Sequence, residues 1–220
     1  MPDPDLPRRV AEVRARIAER QARAGWTHPV TIVAVTKTHP AEAVRAAAAA
    51  GIGAVGENRV QEALAKQVEL TDVAVDWHLI GTLQRNKAKQ AVGRFALIHS
   101  VDSLPLAQDL AKRVAPGSRQ PILIQVNCSA EPQKGGVEPE GLEALVDAVG
   151  GLPQLELRGL MTLAELTDDE ELQRRTFRRL RDLRQAIEKG GVKLPELSMG
   201  MSGDYLAAVD EGTTMVRLGP

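Results

Sequence analysis

The stretch 31-TIVAVTKTHP-40 runs from a mostly apolar, β-branched segment into a lysine and stops at a proline. Val, Ile and Thr favour a pleated, half-buried backbone, so the segment reads as a buried strand ending at Thr36-Lys37. Pro40 then opens the next helix, where a missing backbone N–H costs nothing. The rest of the chain repeats this pattern. Similar runs appear at 30-VTIVAV-35, 52-IGAV-55, 75-VDWHLI-80, 95-FALIHS-100, 121-PILIQVN-127, 155-LELRGL-160, 195-PELSM-199 and 213-TTMVRL-218. Helical periodicity separates most of them. Leu142, Leu145, Val146 and Val149 mark one face of 138–149, and Phe177, Leu180, Leu183 and Ile187 one face of 168–189. Strands alternating with helices imply a parallel sheet covered by helices, and eight repeats favour closure into an α/β (β/α)8 TIM barrel. A doubly wound open sheet is the structural alternative, but no G-x-G-x-x-G or P-loop follows any strand.

An extra helix of about residues 4–24 precedes the first strand. Leu6, Val10, Val13 and Ile17 share a face, with Pro7 in its first turn and Gly25 after its end. The organisation expected is a single domain over 1–220. The eighth strand is followed directly by 217-RLGP-220, so either a closing helix is missing or the first helix does part of its covering.

Bulk composition narrows the function classes. The 220 residues carry a net charge of −1 and only five aromatic side chains. Such a chain has no global field to gather nucleic acid or anionic membrane, and few rings on which bases could stack. Cys128 is the sole cysteine, which excludes an intramolecular disulfide or a cysteine zinc cluster. His28, His39, His78 and His99 show no metal-ligand spacing. No signal-peptide pattern opens the chain and no apolar run approaches membrane-spanning length. A soluble cytoplasmic protein is the expectation.

In a parallel barrel the carboxyl ends of the strands meet at one face, and chemistry collects there. Lys37 ends strand one. It reads either as a lysine reaching for water or as an amine in an apolar, water-poor setting, nucleophilic toward a carbonyl. Strand seven ends in 200-GMSGD-204, with Met201 and Ser202 placed to open a helix, and Gly219 follows strand eight. Glycines and a helix N-terminus there would suit an anion, although Ser202 fits equally as a plain N-cap. Asn58 reads as the N-cap of a capping box with Gln61, compatible with ligand contact. Arg217 lies inside an apolar run, where a guanidinium needs partners: a buried salt bridge, or a ring nitrogen it would hold unprotonated. His78 reads as a satisfied strand-end histidine, Cys128 as a buried small hydrophobe and Lys134 as a solvated loop lysine. No catalytic triad and no metal site are expected.

A carbonyl-reactive lysine, an anion cup and an arginine facing a ring nitrogen together suit pyridoxal 5′-phosphate. The blocks 33-VAVTKTHP-40, 56-GENRVQE-62, 77-WHLIGTLQRNK-87, 159-GLM-161, 198-SMGMSGD-204 and 215-MVRLG-219 span most of the chain. In that order they make it resemble the pyridoxal phosphate homeostasis proteins, relatives of the alanine racemase barrel. The resemblance implies a fold-type III barrel with the cofactor at its mouth. It makes Lys37 the Schiff-base lysine, places Met201, Ser202 and Gly219 around the phosphate with Asn58 near the same end, and sets Arg217 at the pyridine nitrogen. Relatives continue past the glycine, whereas here Pro220 follows and offers no N–H to a phosphate. The implied role is a carrier or buffer of the cofactor with little or no turnover and with no catalytic residues, and cofactor-dependent apo-enzymes are the expected recipients. No exposed apolar stripe in the sequence argues for a dimer, so a monomer is expected. The alternative is a weak amino-acid racemase or Schiff-base lyase of the same fold.

Overall fold

The computed structural model describes residues 5–129, 131 and 134–219. Eight parallel strands close into a barrel in chain order: β1 (Thr31–Val35), β2 (Ala54–Glu57), β3 (Asp76–Leu79), β4 (Leu97–Val101), β5 (Gln120–Gln125), β6 (Leu155–Met161), β7 (Glu196–Met201) and β8 (Met215–Leu218). The seam between last and first strand pairs Thr31 with Met215 and Ala34 with Leu218. Around it lie α1 (Leu6–Ala24), α2 (Ala41–Ala49), α3 (Val60–Glu69), α4 (Ala88–Ala91), α5 (Leu104–Ala111), α6 (Leu142–Gly150), α7 (Glu170–Lys189) and α8 (Tyr205–Asp210). All eight strand-like runs form strands.

Side chains alternate across each strand, and the two faces see different surroundings. Outward residues such as Ile98, Ile122, Ile124, Leu160 and Leu197 pack with α5, α6 and α7 in the main core. Inward, Leu97, Leu123, Met161 and Met215 fill one layer of the barrel. The expected helix faces are buried there too: Leu142, Leu145, Val146 and Val149 of α6, and Phe177 and Leu180 of α7. Asp169 caps α7 by accepting from the N–H groups of Glu171 and Leu172. At the other end of the chain, Gly25 takes a left-handed φ of 78° and closes α1 on the Gln21 carbonyl.

The first helix does part of the covering that a helix after β8 would do. Ile17 packs with Tyr205, Val209 and Val216, while Val10 packs with Val44, Ala47 and Val55. Over β1 and β8, between α1 and α2, a largely apolar groove of about 670 Å³ remains. It lies outside the barrel and meets the strand-end loops at its rim, through Thr36, His39 and Pro40 after β1 and through Ser202 and Gly219. The expectations attached to Pro220 lie outside the described residues.

Three features fix local geometry. A Cβ at Gly159 would sit 1.9 Å from the Glu196 carbonyl oxygen, so β6 and β7 can approach only over a glycine. Glu211, buried in the turn before β8, accepts from Arg174, Arg178 and Arg181 on one face of α7. Deeper inside, a polar chain crosses the barrel from Arg217 to Ser198 Oγ (2.5 Å), then His99 (2.9 Å), then His78 (2.9 Å). Arginine can only donate. Ser198 therefore offers it a lone pair and sends its own proton to His99 Nδ1, and His99 Nε2–H then donates to His78 Nδ1. Burial pushes the His78 pKa down to about 4, and holds that of His99 well below the usual imidazole value with help from His78 and Arg217.

Gly159→Ala should lower stability by roughly 3 kcal/mol, because the clash is with backbone that cannot rotate away. Glu211→Ala should cost about 2 kcal/mol in urea unfolding, since the three arginines are partly hydrated and lose only their shared acceptor. The buried histidines set a pH dependence. Unfolded, they take protons near pH 6.5; folded, they refuse them. Stability should be complete above about pH 6.5 and fall toward about pH 4, by up to about 1.4 kcal/mol per pH unit per histidine. Urea midpoints across that range, with ring NMR shifts of His78 flat above about pH 5, are the expected result.

Candidate functional site

Parallel closure sets the loops after β7, β8, β1 and β2 side by side at one end of the barrel. They carry Met201 to Asp204, Gly219, Thr36 to Thr38, and Asn58, with Arg217 in β8 just beneath. The six candidate residues thus fall on one contiguous arc.

Lys37 lies two residues beyond the end of β1, in a turn, and is exposed. Of the two readings of this lysine, the structure shows the one reaching for water and not the apolar setting: the strand stops at Val35, and Lys37 follows in an exposed turn. Thr38 beside it adopts φ 63°, the sole positive φ of a non-glycine among the described residues. A β-branched residue there is strained.

The anion cup forms differently from the sequence reading. Ser202 is not a helix N-cap, because α8 begins only at Tyr205 and Asp204 holds the cap position. Asp204 turns its carboxylate back onto the Met201 N–H, which takes that amide out of any ligand contact. Ser202 instead joins the two loops: its hydroxyl donates to the Gly219 carbonyl (2.9 Å) and accepts from the Gly219 N–H (3.1 Å). Ser202 and Gly203 are exposed, and their own N–H groups have no protein acceptor among the described residues. Gly219 stays slim against Val35, whose Cβ would lie 3.2 Å from an added Cβ.

Asn58 is likewise one residue short of its expected role. Arg59 holds the N-cap position of α3, without a side-chain bond. The backbone of Asn58 must first cross Gly81, where a Cβ would sit 2.4 Å from the Asn58 carbonyl oxygen, so the helix starts later than local sequence suggests. The half-buried Asn58 amide is left without a protein partner among the described residues.

Arg217 is buried, and no carboxylate among the described residues forms an ion pair with it. Its partners are Ser198 Oγ and, at 2.9 Å, the Thr162 carbonyl. Burial pushes its pKa down to about 10, with Asp204 opposing. Burial in turn raises the Asp204 carboxyl, against the Met201 N–H bond and the pull of Arg217 and Lys134. Lys134 is not a solvated loop lysine: it bonds the Ala164 carbonyl and pairs with Glu131 at 2.7 Å, tying the loop after β5 to that after β6. Cys128 is inert as expected, its thiol pushed up to about 12 by burial. No group of three metal-ligating side chains occurs among the described residues.

The arc therefore presents an exposed primary amine, unclaimed backbone N–H groups, an unpartnered carboxamide and a buried cation without a carboxylate. That donor set fits a phosphorylated aldehyde with a hydrogen-bond-accepting ring: the N–H groups for the phosphate, Lys37 for the aldehyde, Arg217 for the ring nitrogen. Sequence reading missed Asp204, Ser198, His99 and Thr162 around that arginine. The signal available was strand parity, which turns Ser198, Met215 and Arg217 inward together.

Comparison with known proteins agrees with this donor set. A profile of the alanine racemase N-terminal domain matches residues 9–220. The pyridoxal phosphate homeostasis protein of Pseudomonas aeruginosa is 47% identical over 214 residues, covering 96% of this chain and 91% of the relative. That of Aquifex aeolicus is 42% identical, covering 96% and 94%. PipY of Synechococcus elongatus, solved with PLP bound, superposes with a TM-score of 0.81 at 41% identity, over 92% of this chain and 97% of that one. An alanine racemase of Clostridium difficile shares the fold at 15% identity, with a TM-score of 0.75 over 93% of this chain and 57% of that one. By profile, identity and extent of match, the chain belongs to the pyridoxal phosphate homeostasis protein family, on the barrel fold of the alanine racemase N-terminal domain.

Proposed function

We propose that this protein binds pyridoxal 5′-phosphate reversibly through Lys37 and acts in cofactor homeostasis, as a carrier and buffer with little or no turnover. The observation that carries the reading is Arg217, a buried guanidinium whose protein partners are a hydroxyl and a carbonyl and not a carboxylate. Such a group can donate to a ring nitrogen but can give it no proton. The bound group would supply an aldehyde that an amine can hold and a ring whose protonation sets its pull on electrons. With Arg217 at the nitrogen, that pull is weak, and storage is favoured over chemistry at a substrate carbon.

Lys37 supplies the amine from an exposed turn, within reach of incoming cofactor. The free N–H groups of Ser202 and Gly203 hold the phosphate end, and Gly219, whose own N–H is taken by the Ser202 hydroxyl, braces that loop from strand eight. Met201 shapes that loop, its amide being committed to Asp204, and Asn58 offers its carboxamide from the neighbouring strand end. The racemase alternative needs a second acid or base opposite the lysine. Tyr205, the sole tyrosine, packs instead with Ile17 and Val209 outside the barrel, under Arg16.

The recipients we infer are apo-enzymes that use the same cofactor, reached from a monomer. The large exposed apolar side chains, Val68, Leu166 and Met201, are too few and too scattered along the chain to make a dimer face. A cytoplasmic setting is inferred with it; no helix among the described residues is long and apolar enough to cross a membrane.

Added pyridoxal phosphate should give an absorbance band near about 420 nm that Lys37→Ala abolishes. Borohydride reduction should fix the cofactor on the Lys37 peptide, read by mass spectrometry. Equal binding by Lys37→Ala would exclude this lysine as the anchor, and exchange of an amino acid's alpha proton in deuterated water would favour a racemase.

A further inference from the structure

The cofactor chemistry leaves one buried ionic cluster unexplained, and it sits directly behind the turn that carries Lys37. Lys66, in α3, is buried, and its ammonium donates to three oxygens: the Thr36 carbonyl (2.8 Å), Glu57 Oε1 (2.7 Å) and Glu62 Oε1 (3.1 Å). Three donors meet three acceptors, so this amine is fully committed. Glu57 ends β2 and is wholly buried; its Oε1 also accepts from the Thr36 hydroxyl at 2.6 Å, while Oε2 has no partner. Glu62 Oε1 accepts from the Thr38 backbone N–H at 2.7 Å.

Every side-chain hydrogen bond that this cluster makes beyond its own members, among the described residues, falls on Thr36 or Thr38, the residues on either side of Lys37. Both are held firmly while Lys37 keeps its ammonium free. Thr38 is also the residue with the left-handed φ, a conformation that persists only when its surroundings over-determine it. A cluster serving stability alone would have no reason to direct all its outward side-chain hydrogen bonds onto one strained turn.

We propose that Glu57, Glu62 and Lys66 are positioning residues for the Lys37 amine: a buried carboxylate–ammonium–carboxylate clamp holding the Thr36–Thr38 turn so that the amine stands ready over the phosphate end of the arc. The proposal rests on the reading of Lys37 as covalent anchor. None of the three touches the cofactor. Their effect is on placement, and a misplacement of about 1 Å in such a site is worth up to about a hundredfold in rate. The clamp also accounts for the spacing of 56-GENRVQE-62: Glu57 at the strand end and Glu62 in the first turn of α3 grip the same turn from two sides.

The test uses wild type, Glu62→Ala and Lys66→Met, each with and without Thr38→Gly. Amide exchange at Thr38 reads the turn without any ligand, and the urea midpoint reads the fold. The rate of adduct formation with pyridoxal phosphate is set beside equilibrium binding of pyridoxine 5′-phosphate, which keeps the phosphate and ring but has no aldehyde. Glu62→Ala should speed Thr38 exchange and slow adduct formation by at least about tenfold each, with the aldehyde-free analogue held within about twofold. Thr38→Gly, which relieves the strain, should restore part of the rate. Glu62 is only partly buried, so its variant decides the matter even where Lys66→Met does not fold. Adduct formation by Glu62→Ala at the wild-type rate, or equal losses for aldehyde and analogue, would overturn the clamp. Absence of any Lys37 adduct in the wild type would instead overturn the anchor reading beneath it.

Discussion

The pairing of β8 with β1 is the constraint on which the site depends. Were the sheet open, the loops after β7 and β8 would lie at one edge and those after β1 and β2 at the other. Closure, in the register that sets Arg217 against Val33, makes them neighbours. It joins a lysine near the start of the chain to an arginine near its end. The same closure removes both sheet edges, so every strand has a neighbour on each side.

A second consequence concerns charge. The barrel interior is apolar in one layer and hydrogen-bonded in the next, and the two kinds of filling answer different needs. Leu97, Leu123, Met161 and Met215 supply volume. Ser198, His99 and His78 supply direction: each has one donor and one acceptor to place, and Arg217 at one end dictates which way all of them point. The arginine thereby keeps its charge in a site where burial opposes it. A neutral chain does this without the ion pair that would have consumed the guanidinium.

The strands, the α6 and α7 faces and the first helix were legible in the sequence because each rests on local periodicity that burial then rewards. Arg217 was legible because a guanidinium inside an apolar run must be accounted for. The caps were misread at Asn58 and Ser202 because turn length is set by what the backbone has to pass: Gly81 in one case, the Asp204–Met201 contact in the other. The exposure of Lys37 could not be read from its neighbours, since the residues that shape its turn lie about twenty to thirty positions away. Ser198 and His99 were hidden for the same reason: nothing in 198-SMGM-201 points to a histidine on β4.

The position of α1 bears on the order in which the chain can be completed. Its apolar face includes Val10, Val13 and Ile17, and it packs against α2 near one end and against α8 and β8 near the other. Synthesis delivers this helix before all eight strands, and its partners Val209 and Val216 only after seven of them. During translation the Val10 end can settle on α2 early, but the Val13 and Ile17 end waits uncovered until α8 and β8 emerge, and the β1 edge waits with it. Contacts of such sequence separation form slowly, because loop closure must precede any gain from them. The seam that creates the site thus closes only after the other seven strands are made, and until then the nascent barrel is an open sheet with an adhesive edge.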